Sequence, residues 1–332
     1  MLSIYIHICI LFGMKMQPKY MISLLIAITI AVFFKGYLME VEELENIHIF
    51  PHLGNYLSKY FHNLGRSLLE QKDFAWEIPN VNFIKDLPSR VGFNESTLVK
   101  QTYECFKKNN ITLENSTFDK YNDAAWHVIN NTQMQFWNCM RPLINQILDD
   151  AFTKSEIPKN KSGILFHLRC ADVPFGKHFH YHFDKYDFYK KALENIKNNG
   201  IHDKNVRLLF NTSHLSENEN QQSCNIYIGS LIKYLENLGY SVTIVSKSNI
   251  EDFADMFYAD AVISSVSSFA FMSAFFGNGV YYSSEHIEEG ESTTQCTLCK
   301  SWTLPSTKLR HRDVADYHDT ENVISLLKQS TG

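Results

Sequence analysis

The feature that most constrains this fold is an alternation of short apolar runs with segments of helical spacing. The runs predicted as strands are 163–168, 206–211, 241–246, 261–264 and 280–282. The helical segments between them are 186–198, 224–238, 250–258 and 267–276. Strands that alternate with helices form a parallel sheet covered on both faces. The sequence therefore predicts an α/β fold with a Rossmann-like second half, although the GxGxxG pattern of dinucleotide-binding turns is absent.

Composition excludes two broad classes. Apolar residues make up 45% and charged residues 20% of the 332 residues, so the chain as a whole is not disordered. Its 31 basic and 36 acidic side chains leave a net charge of −5. Because no basic surface is available to attract a polyanion, the composition argues against nucleic-acid binding.

An apolar segment near the N-terminus predicts membrane anchoring. Tyr20–Leu38 carries one charge, Lys35, and its nineteen residues are close to the length that spans a bilayer. Lysines precede the segment and glutamates follow it, which places the N-terminus in the cytosol and the remainder in the lumen. A cleaved signal peptide is the alternative, but no small-x-small cleavage site follows. Met1, Met14 and Met16 are equally good start residues.

The remaining chain fits a lumenal compartment. It holds six Asn-x-Ser/Thr sequons, at Asn94, Asn110, Asn115, Asn130, Asn160 and Asn211. It also holds six cysteines, at 105, 139, 170, 224, 296 and 299. We expect up to three disulfides of unknown pairing. Cys296 and Cys299 form a CxxC, a pattern that can supply half of a zinc site, but the lack of a second pair favours a local disulfide or free thiols.

The 294 residues after Leu38 suit two domains. The predicted organisation is a cytosolic segment 1–19, an anchor 20–38, an N-terminal domain 39–158 and a C-terminal Rossmann-like domain 159–332. In the first domain, helical patterns run from about residue 52 to Gln71 and from Ala125 to Phe152. We expect an interruption near Pro142.

The first group of candidate functional residues closes the strand at 163–168. His167 and Arg169 project from the same side of an extended chain and can reach one ligand. An arginine there offers a bidentate donor to a diphosphate. Asp172 follows, and it can orient the arginine or accept a hydrogen bond from a sugar or base. The alternative is a buried Arg–Asp pair that holds a loop.

The second group lies on the next ligand-facing turn. Ser267 and Ser268 precede a predicted helix, where hydroxyls and backbone N–H groups can hold phosphate. Serines also cap helices without any ligand. Because ligands of parallel sheets bind at the carboxyl ends of the strands, we expect Arg169 and this serine turn to lie on one edge.

Three blocks resemble a known superfamily. His167-x-Arg169-x-x-Asp172 is similar to the HxRxxD motif of the GDP-fucose-dependent fucosyltransferases, and residues 263–275 resemble the serine-rich block of the α1,2 enzymes. Asp252 precedes Ser268 by sixteen positions, a spacing similar to that of the α1,6 enzymes. Residues 51–55, Pro-His-Leu-Gly-Asn, resemble the GLGNQ-type turn near the start of these catalytic domains.

The resemblance implies a GT-B fold of two Rossmann-like domains, the first on the acceptor side and the second binding the nucleotide sugar. It implies GDP-fucose as donor, inversion at the anomeric carbon and no required metal or cofactor. By the same resemblance, Arg169 neutralises the pyrophosphate, Asp252 recognises guanine, and Ser267 and Ser268 hold the phosphates. His167 lines the nucleotide pocket, and Asn55 contributes from the first domain.

The chain departs from the family pattern at several positions. Cys170 stands where many relatives have a second arginine, and His52 replaces the first glycine of the turn. Phe271 and Met272 stand in place of the tryptophans of the serine block. These departures bear on acceptor class and on donor identity.

The general base is not assigned by the sequence. Asp172, Asp184 and Asp187 are the carboxylates that follow the motif, and an inverting transfer benefits from one of them. Between Asp172 and Asp184, a histidine stands at every second position, at His178, His180 and His182. In an extended chain the three side chains would face one side. Three such imidazoles can bind zinc, but a polar loop face that lines the acceptor cleft is the preferred interpretation.

Taken together, the sequence predicts a single-pass type II enzyme of the Golgi or another secretory-pathway membrane. It would move L-fucose from GDP-fucose to a hydroxyl of a glycan or glycoprotein acceptor. The alternatives are a transferase of the same fold that uses another nucleotide sugar, an inactive anchored glycan-binding protein, and a zinc-dependent ectoenzyme.

Overall fold

A mixed sheet dominated by parallel strands organises the second half of this computed structural model. The structure describes residues 53–115, 131–160, 163–170, 175, 182–210, 218–265, 267–283, 294–296, 301–303, 308–310 and 313–329. In chain order the elements are α1 (Leu53–Leu69), β1 (Phe74–Ala75), a 3₁₀ turn (Asn82–Asp86), β2 (Arg90–Val91), α2 (Thr97–Lys108), α3 (Asn131–Lys154), β3 (Ile164–Leu168), β4 (His182–Asp184), α4 (Tyr186–Asn198), β5 (Asn205–Phe210), α5 (Asn218–Asn237), β6 (Ser241–Val245), α6 (Asn249–Tyr258), β7 (Ala261–Ser264), α7 (Ser268–Ala270), a π-helical segment (Phe271–Phe275), β8 (Val280–Ser283), β9 (Thr294–Cys296), β10 (Ser301–Thr303), β11 (Lys308–Arg310) and α8 (Thr320–Lys328).

The main sheet has the order β6-β5-β3-β7-β8-β10-β9. All neighbours in it are parallel except the last pair, β10 and β9. Counted along the chain from β3, the first five strands of this sheet lie in the order 3-2-1-4-5, as the corresponding strands of a Rossmann fold do. The predicted α/β class with a parallel sheet is therefore confirmed. Strands β4 and β11 pair separately and antiparallel.

Helices cover both faces of the sheet. On one face, Ile164, Phe166 and Leu208 are buried in a core shared with α4, α5 and α8. Side chains alternate along a strand, so Leu165 and His167 of β3 project to the opposite face. Among the described residues, the first core contains none from α6 or α7. These two helices therefore belong to the opposite face.

The sequence places most of these elements correctly. β7 and α4 match their predicted bounds. The other four predicted strands, β3, β5, β6 and β8, differ by no more than one residue at either end. Gly200 and Gly239 follow α4 and α5 with φ of 86° and 84°, a conformation that favours glycine and ends a helix. α5 begins six residues before the predicted start, at Asn218.

The first half does not match the expected Rossmann-like domain. Residues 53–115 and 131–160 form helices, and their only sheet in the described part is the two-stranded antiparallel pair of β1 and β2. The apolar residues of α1 recur at helical spacing, and Leu57, Phe61, Leu64 and Leu68 are fully buried. A helical layer therefore replaces the second parallel sheet implied by the GT-B expectation.

Pro142 does not interrupt α3, contrary to the prediction. The helix runs unbroken from Asn131 to Lys154 with the proline inside it. Trp137, Ile144 and Leu148 are fully buried on either side of that position. Burial of several large side chains along one helix face outweighs the hydrogen bond that the proline removes.

The helical layer and the sheet pack as one unit, His52–Gly332. The guanidinium of Arg141 donates to Gly277 O at 2.9 Å, and the amide of Asn145 donates to Phe276 O at 2.7 Å. The Tyr258 hydroxyl donates to the Asp149 carboxylate at 2.6 Å. The boundary predicted near residue 158 thus falls between α3 and β3, inside this unit.

The predicted anchor at 20–38 and the segment before it lie outside the described residues. Within the described part of the chain, no helix has both the length and the apolar character needed to cross a membrane.

Candidate functional site

The candidate site lies where β3 and β7 end side by side. They are the first and fourth strands of the sheet along the chain, and the strand order runs outward in opposite directions from this pair. A crevice forms at such a switch point, and it is where open α/β sheets bind their ligands. The Arg169 N–H donates to the Ser265 hydroxyl at 3.2 Å, and the Ser265 N–H donates to His167 O at 3.3 Å. The two predicted groups therefore meet at this edge.

His167 is held neutral within the site. Burial, together with the positive charge of Arg169, lowers the pKa of its imidazole to about 4. The ring lies 5.9 Å from the Phe269 ring, measured between centroids. Its Nδ1 atom is buried and has no hydrogen-bond partner among the described residues. A neutral imidazole beside Arg169 keeps the cationic charge on the guanidinium alone.

The serine block divides between capping and an open position. The Ser267 hydroxyl accepts from Ala270 N at 3.3 Å, so this serine is the N-cap of α7. The predicted helix over 267–276 is a three-residue α-helical turn followed by the π-helical segment. Since this helix is short, its end contributes little dipole. Ser268, the second predicted phosphate ligand, begins α7 and is half-buried.

The N-terminal block packs directly on the serine block. A Cβ at Gly54 would lie 2.4 Å from the carbonyl carbon of Ser268 and 2.5 Å from Phe269 N. Only a glycine allows two backbones to approach so closely. The contact places Asn55, the next residue of α1, beside the serine turn. The Asn55 Oδ1 atom is buried without a hydrogen-bond partner among the described residues.

Asp252 lies in the first turn of α6, next to α7. Its carboxylate accepts from Lys247 N at 3.1 Å, and the side chain is 8% exposed. Burial raises the pKa of this carboxyl to about 6. The ring of Phe253, the following residue, lies 5.3 Å from the Phe269 ring. Asp252 is thus a carboxylate held near the strand ends and ionised at neutral pH.

A charged cluster behind Asp252 was not identified from the sequence. Asp255, one turn further along α6, is 2% exposed and forms ion pairs with Arg207 of β5 and with the Lys247 ammonium. The i, i+3 spacing of the two aspartates is the signal that indicates a shared helix face. Arg207 is distant in sequence, so the fold alone brings it to Asp255.

Among the described residues two disulfides are formed, and one of them adjoins the site. Cys105 pairs with Cys139, and Cys170 pairs with Cys224. Cys170 follows Arg169 directly, so its bond ties the end of β3 to α5. The crosslink stands at the position where the resemblance implies a second arginine in many members of the superfamily. Cys299 lies outside the described residues, and the CxxC is left unassigned.

The candidate bases differ in their surroundings. Asp184 is 1% exposed, and its carboxylate lies 3.7 Å from the buried His182 ring. With Arg169 and Ser265 it lines a cavity of about 30 Å³, which is large enough for water. Asp187 forms an ion pair with Lys191 at 2.6 Å. Asp172 lies outside the described residues.

The histidine run is only partly described. His182 lies in β4, whereas His178 and His180 lie outside the described residues. Within the described part, no group of three histidine, cysteine, aspartate or glutamate side chains is placed to hold a metal ion.

The asparagines of four of the six sequons are described, and all four are exposed. They are Asn94, Asn110, Asn115 and Asn160. Exposure is what the attachment of a bulky glycan requires.

Comparison with known proteins gives no further assignment. No protein-family model, no curated protein and no solved structure matches this chain.

Proposed function

We propose that the protein is a membrane-anchored, lumenal glycosyltransferase that moves L-fucose from GDP-fucose to a glycan hydroxyl with inversion. One observation carries the proposal. Arg169, the serine turn and the start of α1, which holds Asn55, converge at the switch point of the parallel sheet. These are the three sequence blocks that resemble the GDP-fucose-dependent superfamily, and they come together from distant parts of the chain.

The chemistry of the cluster suits a departing nucleoside diphosphate. Negative charge develops on the diphosphate as the glycosidic bond breaks, and a placed cation stabilises it. Arg169 would supply that cation, with Ser268 and Asn55 as polar neighbours. We propose Asp172 as the residue that orients Arg169 or accepts a proton from the acceptor hydroxyl. The reaction needs no metal in this scheme.

Asp252 supports guanine as the base. An ionised carboxylate is an acceptor with two oxygens. Guanine presents two adjacent N–H donors, so it pairs with such a carboxylate, whereas adenine presents only one. The alternative enzyme is a transferase of the same fold that uses another nucleotide sugar. Which nucleotide base is bound depends, in this proposal, on Asp252.

The GT-B expectation is retained for the donor-binding half. We propose that the helical layer of α1, α2 and α3 takes the acceptor side in place of a second Rossmann-like domain. The Golgi or another secretory-pathway membrane remains the proposed location, with Tyr20–Leu38 as the anchor.

The test is fucose transfer by the full chain, purified in detergent and supplied with GDP-fucose and a glycan panel. We expect the unmodified protein to release GDP. We expect Arg169→Ala to slow that release by about 10²–10³-fold, the effect of losing one transition-state donor. Arg90→Ala, an exposed arginine on β2, is the matched control and should leave the rate unchanged. Equal rates for both variants would remove Arg169 from the mechanism. Glycan binding without any GDP-sugar binding would instead support the inactive binding protein.

A further inference from the structure

The buried cluster around Asp255 has a geometry that reaches the base-recognition residue. Asp255 lies on α6 at 2% exposure and has two cationic partners. Arg207 approaches it from the neighbouring strand β5, and Lys247 Nζ lies 3.0 Å from its Oδ2 atom. One buried carboxylate thus fixes two cations from different elements, which is the arrangement that makes burial of a charge tolerable.

Lys247 is the link between the two aspartates. Its ammonium contacts Asp255, and its backbone N–H donates to Asp252 Oδ1 at 3.1 Å. The residue lies in the turn between β6 and α6. The Lys247 side chain is 35% exposed, whereas the Asp255 side chain is 2% exposed. The side-chain contact therefore holds in place the amide that directs Asp252.

The turn is also fixed from its other side. The Ser248 hydroxyl accepts from Glu251 N at 3.3 Å, and the Glu251 carboxylate accepts from Ser248 N at 3.2 Å, which completes a capping box. The charged groups near Asp252 are Glu251, Asp255 and Lys247 on α6 and its preceding turn, with Arg207 behind them on β5. The capping box thus fixes the backbone of the turn. Among the described residues, the Lys247 N–H is the one hydrogen-bond donor to the Asp252 carboxylate.

Resting on the proposed function, we infer that Lys247, anchored by Asp255, is a positioning residue for base selection. It would direct the Asp252 carboxylate towards a base with two adjacent N–H donors, and so favour guanosine over adenosine diphosphates. The diphosphate itself would be bound by Arg169, on a different strand. Base selection and diphosphate binding are therefore separable by mutation.

The test compares Lys247→Met with Lys247→Arg in the full chain. Dissociation constants for GDP, ADP and inorganic pyrophosphate are measured by calorimetry at neutral pH. We expect Lys247→Met to weaken GDP about tenfold, the effect of one misaligned hydrogen bond to a charged group, while ADP and pyrophosphate change little. Lys247→Arg should restore most of the GDP affinity, because an arginine can keep the ion pair with Asp255.

Two further variants separate positioning from folding. Asp255→Asn should reproduce the loss of GDP selectivity with Lys247 intact. Lys159→Met, which removes another partly exposed lysine that pairs with an aspartate, Asp149, at 2.8 Å, should leave the selectivity unchanged. Lys247→Met retains the pair of Arg207 with Asp255, so we expect it to fold, and its melting temperature checks this.

An unchanged ratio of GDP to ADP affinity in Lys247→Met would overturn the inference. An equal loss of pyrophosphate affinity would also overturn it, since it would indicate general damage to the site. If the unmodified protein bound pyrophosphate but did not prefer GDP, the proposed function would fail, and the inference with it.

Discussion

At the scale of single residues, the site depends on the neighbours of Arg169. Its N–H donates to Ser265 on one side, and Cys170 is crosslinked to α5 on the other. The backbone of Arg169, the residue proposed to bind pyrophosphate, is therefore held on both sides. A preorganised cation stabilises developing charge without reorganising during the reaction. This arrangement offers a structural role for Cys170, at a position where the resemblance implies a second arginine.

The ionisation of Asp252 gives a prediction of pH dependence. Its pKa of about 6 lies above the ordinary aspartate value, because burial penalises the charged form. The carboxylate is charged at pH 7 and protonated at pH 5. We expect affinity for GDP-fucose to fall by up to about tenfold per pH unit below 6, as each binding event must release one proton. His167 stays neutral across this range, since its pKa is about 4.

Fluorescence titration between pH 5 and 8 measures this effect. GDP-fucose is the suitable ligand because its diphosphate is esterified at both ends and does not gain a proton in this range. Asp252→Asn should bind more weakly at pH 7 and show a flat profile, because an amide does not titrate. A profile of the same shape in both proteins would assign the pH dependence to another group.

At the scale of elements, the contact of α1 with α7 has no room for a side chain. Gly54→Ala would place a methyl group 2.4 Å from the Ser268 backbone. We expect the variant to lose at least about 1–3 kcal/mol of stability through overpacking, and to bind GDP more weakly as α7 is displaced. Urea denaturation measures the first effect and calorimetry the second.

Gly229→Ala on α5 is the matched control. A Cβ at Gly229 would meet no atom within 4 Å. Alanine is the better helix former, so this variant should gain about 0.5–1 kcal/mol and keep its GDP affinity. Similar losses in the two variants would contradict the close contact between α1 and α7.

The elements also show where sequence patterns are sufficient and where they are not. Short buried strands such as β7 and capped helices such as α4 are local, so their composition and end signals locate them. The continuity of α3 through Pro142 depends on burial against other elements, which no local pattern reports. The ion pair of Arg207 with Asp255 joins two segments that are adjacent only in the folded sheet, so it was not predicted.

At the scale of the whole molecule, the two disulfides belong to different parts of the unit. Cys105–Cys139 joins α2 to α3 in the helical layer, and Cys170–Cys224 joins the candidate site to α5. Their sequence separations, 34 and 54, are similar enough for comparable effects on the unfolded chain. We expect replacement of either pair by serine to lower stability by about 2–4 kcal/mol.

Only one of these replacements should change the affinity for pyrophosphate. Loss of Cys170–Cys224 should weaken pyrophosphate binding several-fold at a temperature where the protein remains folded, because Arg169 is no longer fixed on its C-terminal side. Loss of Cys105–Cys139 should leave that affinity unchanged. Calorimetry on both double-serine variants, with melting curves recorded beside it, decides between a local and a general role for the bond.

The contact between Gly54 and Ser268 also has a consequence for biosynthesis. It joins residues 214 positions apart in the sequence, so the candidate site depends on a contact of very high sequence separation. Such contacts form late, after the loop they close has been ordered. During synthesis, α1 would leave the ribosome long before α7, and its Gly54 face would stay uncovered until α7 is made. A nascent chain halted before the serine block would hold Arg169 and Asn55 without the surface that brings them together.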